Sequence, residues 1–524
     1  MKQGENKGND INYKSVVCIY VTGASRDYLH PWSPGEKFRS TGSGFAVFVD
    51  KNKYIMTNHH VVRDAYMVNI KKYSSDKKYV CEVIDIAEEF DLALLKVMED
   101  EFWSDISPIN WGNAPKRGVE VIVVGFPHEG SNASITRGIV SRITSHPYNG
   151  YPNIAIQIDA AVNPGNSGGP VLYKDEIVGI AFSHTARTMN MCYMIPEFLA
   201  KHFMAGFKKF GKFPGICSLG VRTSSLENQY MRNSALGNIM KSGIFVNEVF
   251  PLGSSNGIIK QGDVITKIND ITVHNDQNVF IIKYKPSNYS SDDKIKDTSL
   301  ERAPFWHTVR LLFPGDKITV NVVRNEVEKK MKLTLEKIVE LAPIMDRDIT
   351  REYMIFSGII FLPLCNWHVF PKEMDKRDII NDNHIRLMSM IIDIPKEYPD
   401  QQLIIVSEML PSQNLNGYYE NDFKFNVLKT VNGISVKNIQ HLIGLCFLDK
   451  IIKDSKNSKD SKDSKDSKKI KDEFIKFDFI DKSNITLNWQ TAIEESFVLA
   501  KQFFGIDPFI NLKITAGEEE EERL

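Results

Sequence analysis

The stretch "IDAAVNPGNSGGPVLYKDEIVGIAFS", residues 158–183, sets Ser167 among four glycines between two runs that read as β-strands. Glycine loses more conformational freedom on folding than any other residue, so its concentration at the edge of a rigid sheet needs a reason. One reason is that the backbone itself has work there. Two N–H groups aimed at one point hold the oxyanion of a tetrahedral intermediate, and glycines permit the turn and let a substrate come close. A glycine-rich hairpin turn without chemistry is the other reading of the same residues.

The chemical reading makes a demand that the rest of the chain can meet or fail. A serine hydroxyl is a weak nucleophile at neutral pH and needs a histidine base, itself oriented by a carboxylate. Upstream, "TNHHVV" offers His59 and His60 after a strand, and "EEFDLALLKV" offers Asp91 at the mouth of another. The order His, Asp, Ser is that of the chymotrypsin arrangement, not of the subtilisin or α/β-hydrolase ones.

The surroundings suit such a triad. From residue 15 to about 200, short β-branched and aromatic runs such as "SVVCIYV", "GSGFAVFV", "VEVIVVGF" and "EIVGIAF" recur between Gly, Pro, Asn and Asp turns. Many short strands with few helices predict an all-β barrel or sandwich. Helical spacing of apolar residues is confined to "IPEFLAKHFMAGFKKF", 195–210, which closes the region.

At 524 residues the chain exceeds what one core serves, so several domains are expected. With 42% hydrophobic and 25% charged residues it reads as globular, and a formal net charge of -1 gives no global pull toward nucleic acid. Six scattered cysteines without a CxxC pair fit neither a disulfide framework nor a zinc cluster, which points to reduced thiols inside a cell, compartment undetermined. No cofactor or metal is expected. The start lacks the apolar core of a secretory signal, and the most apolar run, 353–364, is too short to cross a bilayer.

Three blocks, "TGSGFAVFVDKNKYIMTNHHVV", "DLALLKV" and "NPGNSGGPV", resemble the signatures of the Deg/HtrA serine proteases, and further stretches resemble the plant-type members. The resemblance implies a chymotrypsin-like double β-barrel followed by two PDZ-like α+β domains. It also selects His60, directly before the Val-Val pair, with Asp91 and Ser167 as its partners in catalysis. The oxyanion loop falls on Gly165, Asn166 and Ser167, with the N–H groups of Gly165 and Ser167 as donors. An aspartate six residues before the nucleophile confers basic specificity in trypsin-like enzymes. Here that place is Ala161, so a small apolar pocket lined by Val162, Ile180, Ala181 and Phe182 is expected, with His184 just beyond it.

The implied activity is ATP-independent endoproteolysis of unfolded or damaged proteins. A catalytically dormant chaperone or binding scaffold on the same fold is the alternative. The expected boundaries are a flexible start at 1–14, protease at 15–213, PDZ-like domains at 214–340 and 341–516, and an acidic tail at 517–524. In the first PDZ-like domain "SLGV" resembles a carboxylate-binding loop, placing peptide termini at Leu219, Gly220 and Val221. The second lacks an obvious loop of that kind and suits assembly. Its Lys/Asp/Ser tract at 453–469 holds no apolar residue and is expected to be a disordered insertion. The resemblance further implies homotrimers or hexamers. Tyr20, Tyr28 and Trp32 suit either a subunit interface or a core.

Overall fold

The computed structural model describes residues 13–73, 75–127, 132–148, 151–182, 192–237, 242–281, 301–343, 351–369, 383, 385–387, 390, 394–448 and 473–509. His184, the tract at 453–469 and the tail at 517–524 lie outside the described residues. The chain divides into two units, one of residues 1–25 and 35–338, the other of 26–34 and 339–524.

The first unit opens with two closed barrels. β1 (Val16–Ala24), β2 (Lys37–Val49), β3 (Asn52–Thr57), β4 (Ala65–Lys72), β5 (Lys78–Ala87) and β6 (Leu92–Val97) close in the order β1-β2-β3-β6-β5-β4. Every second residue of β1, Val17, Ile19 and Val21, points inward and meets Ala46, Ile55, Val68, Ile70 and Leu95. The second barrel comprises β7 (Glu120–Gly125), β8 (Ser134–Tyr148), β9 (Tyr151–Ile158), β10 (Pro170–Tyr173), β11 (Glu176–Phe182) and β12 (Cys192–Pro196), in the order β10-β11-β12-β9-β8-β7. Val121, Val123, Ile156, Ile158, Val171 and Val178 fill it. Closure pairs every edge, the standard protection of an all-β domain against edge-to-edge association.

Helix α1 (His59–Val62) is a single turn between β3 and β4. Helix α2 (Glu197–Phe210) occupies most of the span whose apolar spacing predicts it. It ends on Gly211, whose φ of +77° and N–H bond to the Phe207 carbonyl form a left-handed cap.

A small α+β domain completes this unit. Strands Val221–Ser225, Ile244–Val249, Val264–Ile268, Lys317–Arg324 and Val327–Thr334 follow one another across its sheet. Val221–Ser225 lies at one end of that path and directly follows the "SLGV" loop. Gly220 there has a φ of +69°, and a Cβ would run into Gly253, so the loop backs closely on its neighbour.

In the second unit the sheet runs through Met354–Phe356, Ile359–Pro363, Ile404–Met409, Val427–Val431, Phe474–Phe479 and Asn484–Asn488, and a helix, Trp489–Phe504, packs on it. The turn joining the first two strands has positive φ at both Ser357 and Gly358. That turn is tied to the helix. Ser357 N–H donates to Ser496 Oγ, and Ser357 Oγ donates to Glu495, which also accepts from Ser412 Oγ and Asn414 Nδ2. The apolar run at 353–364 is therefore the buried start of this sheet. Among the described residues no helix is long and apolar enough to cross a membrane.

Residues 26–34, which lie between β1 and β2 in sequence, belong to the second unit. Trp32 packs edge-on to Tyr353 at 4.7 Å and against Phe504 at the same distance, and Tyr28 stacks on Trp367 at 5.2 Å. Both aromatics are thus used within the chain. His30 sits between two carboxylates, 3.0 Å from Asp27 and 2.7 Å from Glu408. Its hydrogen bond to Asp27, and secondarily the one to Glu408, raises its pKa although burial opposes this.

A histidine whose pKa is raised in the folded chain stabilises it fully below the unfolded value and loses that contribution as pH rises through the folded one. Protection of residues 26–34 against hydrogen exchange, corrected for intrinsic rates, should therefore be greater at about pH 5.5 than at about pH 8. His30→Gln should erase the difference. Equal protection at both pH values in the unmodified chain would contradict the clamp.

Candidate active site

The site lies where α1 and the start of β6 from the first barrel meet the loop before β10 of the second. Asp91 follows a 3-10 turn, Glu88–Phe90, and adopts the left-handed conformation with φ +56°. That conformation is uncommon for a residue with a side chain and is held here by several bonds. The Asp91 carbonyl accepts from His59 N–H at 3.1 Å and from Asn58 Nδ2 at 3.0 Å. Its carboxylate takes His60 N–H on Oδ1 at 2.9 Å and faces His60 Nδ1 through Oδ2 at 2.7 Å. The carboxylate is almost wholly buried, while the His60 ring is a third exposed.

His59 and His60 part company on the single turn of α1. His59 is buried, with Nε2 3.8 Å from Glu88 Oε1. His60 reaches the Asp91 carboxylate with both its N–H and its ring. Its ring is also neighbour to Tyr148, 6.4 Å between centroids.

The loop carrying Ser167 consists of two consecutive tight turns. Asn166 N–H donates to the Asn163 carbonyl, with Pro164 second and Gly165, at φ +97°, third. Proline second and a positive-φ glycine third are the marks of a type II turn. Gly169 N–H then donates to the Asn166 carbonyl, with Ser167 second and Gly168, at φ +85°, third. The loop is held from both sides: Gly168 N–H donates to the Ala181 carbonyl of β11, and Ser43 N–H of β2 donates to the Ser167 carbonyl at 2.9 Å. A Cβ on Gly168 would run into the Ser43 carbonyl and Thr57 Oγ1.

Asn166 and Ser167 are buried. The Asn166 N–H is spent on the turn; the amides that sequence reasoning proposes as oxyanion donors, those of Gly165 and Ser167, lie on either side of it. Of the pocket residues, Val162 and Ala181 belong to the second-barrel core, and Ile180 is fully buried. Val162 N–H donates to Cys192 Sγ at 3.3 Å. Phe182 turns toward His146 and Tyr193, with ring centroids 5.7 and 6.0 Å away. With His146, Tyr148 and Asn153 it lines a small cavity that also touches Asp91. Leu219 is buried, while Val221 opens the end strand of its sheet.

Sequence reasoning missed Asn58, Ser43 and Tyr148. The signal for Ser43 was weak: a polar residue between two glycines at the head of the apolar run "GSGFAVFV".

Residues 42–180 match the trypsin-like peptidase domain, and residues 342–503 match the PDZ domain. Protease Do-like 4, mitochondrial, of Arabidopsis thaliana is 31% identical over 438 residues, covering 83% of this chain and 77% of that protein. Protease Do-like 2, chloroplastic, of the same plant is 30% identical over 494 residues, covering 93% of this chain and 73% of the relative. A serine protease DegP homolog of Plasmodium falciparum is 26% identical over 528 residues, covering 84% and 59%. A peptidase domain of two closed barrels, a PDZ domain, and this identity over most of both chains place the protein in the Deg/HtrA, or Do-like, family of serine proteases.

Proposed function

We propose that the junction of the two barrels is the active site of an ATP-independent serine endopeptidase acting on unfolded or damaged proteins. The observation that carries this reading is the Asp91–His60 pair, in which a buried carboxylate grips one histidine through both its backbone N–H and its ring. Ser167 Oγ attacks the scissile carbonyl and His60 takes its proton. Asp91 holds Nδ1 protonated, which leaves Nε2 to act as base and stabilises the imidazolium that forms. The Gly165 and Ser167 N–H groups receive the oxyanion. His60 then returns the proton to the leaving amine, and water repeats the sequence on the acyl-enzyme.

The domain reading is protease at 15–213 with PDZ-like domains at 214–340 and 341–516. An extended peptide adds to the end strand Val221–Ser225, with its terminal carboxylate at Leu219 and Gly220, and the chain works as a homo-oligomer. The mitochondrial and chloroplastic names of the two plant relatives support an organelle as its compartment.

Ser167→Ala should fold and assemble as the unmodified chain does while casein turnover falls by about a thousandfold or more. His60→Ala should be nearly as severe, whereas His59→Ala should keep most turnover per folded molecule. Turnover in Ser167→Ala, or an inactive folded His59→Ala beside an active His60→Ala, would overturn the assignment.

With Ala161 where an aspartate would select basic side chains, cleavage-site mapping by mass spectrometry on an unfolded protein should find Val, Ala, Ile or Leu before the cut. A majority of cuts after Lys or Arg would contradict the apolar pocket.

A further inference from the structure

We propose that Ser43 is a positioning residue for this reaction: its side chain holds the Ser167 loop in the shape that aims the oxyanion donors. The inference rests on the endopeptidase reading above. Ser43 is a fully buried polar residue in β2 of the first barrel, so each of its polar atoms needs a partner. All the partners found lie at the junction.

Ser43 Oγ donates to the Gly165 carbonyl at 2.7 Å and accepts from Phe126 N–H at 2.7 Å. One hydroxyl thus ties the oxyanion loop to the end of β7. Ser43 N–H holds the Ser167 carbonyl, and the Ser43 carbonyl is itself held by Thr57 Oγ1 at 2.7 Å. Gly125 has no Cβ, and one placed there would press on Ser43 Oγ and on Asn166.

The consequence for catalysis follows from which peptide is held. The plane between Gly165 and Asn166 is pinned at both ends, its carbonyl on Ser43 Oγ and its N–H on the Asn163 carbonyl. The Gly165 N–H belongs to the plane immediately before it, across a residue with no side chain to resist rotation. Glycine alone would leave that plane free to turn, so its direction depends on the hydrogen-bonded turn Asn163–Asn166, which Ser43 Oγ holds from outside through the Gly165 carbonyl. Without the hydroxyl, the buried Gly165 carbonyl and Phe126 N–H both lose their partner, and the loop can regain hydrogen bonds only by turning. Ser43 touches neither the substrate nor the transferred proton, so its loss should act on the transition state through the loop.

The test compares Ser43→Ala with Ser15→Ala. Ser15, in the turn just before β1, is equally buried and donates to the Ser107 carbonyl, so its loss is a structural deletion of a buried hydroxyl beside the same barrel, away from the loop. A peptide aldehyde, which forms a tetrahedral adduct on the serine, serves as the probe beside a chromogenic peptide substrate of the same sequence. Ser43→Ala should lower kcat about 10- to 100-fold with KM within about twofold, and weaken the aldehyde by the same factor as kcat. Ser15→Ala should change none of these per folded molecule.

Unchanged kcat and aldehyde affinity in folded Ser43→Ala, or equal losses in the two variants, would overturn the inference while leaving the endopeptidase reading intact. If Ser43→Ala does not fold, Ser43→Cys, which keeps the volume and weakens the donor, is judged by the same split. An unmodified chain that neither cleaves the peptide nor takes the aldehyde on Ser167 would overturn the reading itself and this inference with it.

Discussion

A carboxylate removed from water needs hydrogen bonds in exchange, and Asp91 receives its bonds from three consecutive residues, Asn58 to His60, at the start of one helical turn. Its two oxygens engage the N–H and ring of His60, and its carbonyl takes the N–H of His59 and the amide of Asn58. The left-handed backbone at Asp91 makes this possible, because it turns carbonyl and carboxylate toward α1 together. The link between the start of β6 and α1 therefore sets which histidine meets the carboxylate. Removing one partner would leave a buried charge, a loss larger than that of an exposed ion pair.

The other half of the site is organised by close approach. The loop around Ser167 lies so near the first barrel that Gly168 has no room for a side chain against the Ser43 carbonyl and Thr57. The glycines are present because the backbone of a second barrel comes within hydrogen-bonding distance, and once bonded they are fixed. Flexibility belongs to the unfolded chain; the folded loop has the Asn166 and Gly168 amides committed to Asn163 and Ala181, and the Gly165 and Ser167 carbonyls to Ser43.

Much of this was legible in the sequence. The strand runs, their turns and the helix near 195–210 follow from local chemistry, and the architecture of two closed barrels agrees with the β-rich reading and with the resemblance. The motifs also singled out Asp91 and the adjacent His59 and His60, and the structure pairs Asp91 with His60. What pattern alone left open was the choice between His59 and His60. Adjacent residues on one turn differ by about 100° in direction, and it takes the fold to show His59 buried beside Glu88 and His60 paired with Asp91. Residues 26–34 show the other kind of loss. Nothing local in "RDYLHPWSP" announces that Trp32 will meet Tyr353 and Phe504, because a contact across more than 300 residues leaves no periodicity in either segment. Ser43 was similarly hidden, since its partners are backbone groups of a loop and strand more than 80 residues away.

The most direct measurement is the position of the covalent label after the full-length chain reacts with a fluorophosphonate in the presence of an unfolded protein. Modification at one residue, Ser167, lost in His60→Ala and retained in His59→Ala, is the expected result. A label distributed over other serines, or one on Ser167 that persists undiminished without His60, would contradict the account of a single nucleophile activated across the junction of the barrels.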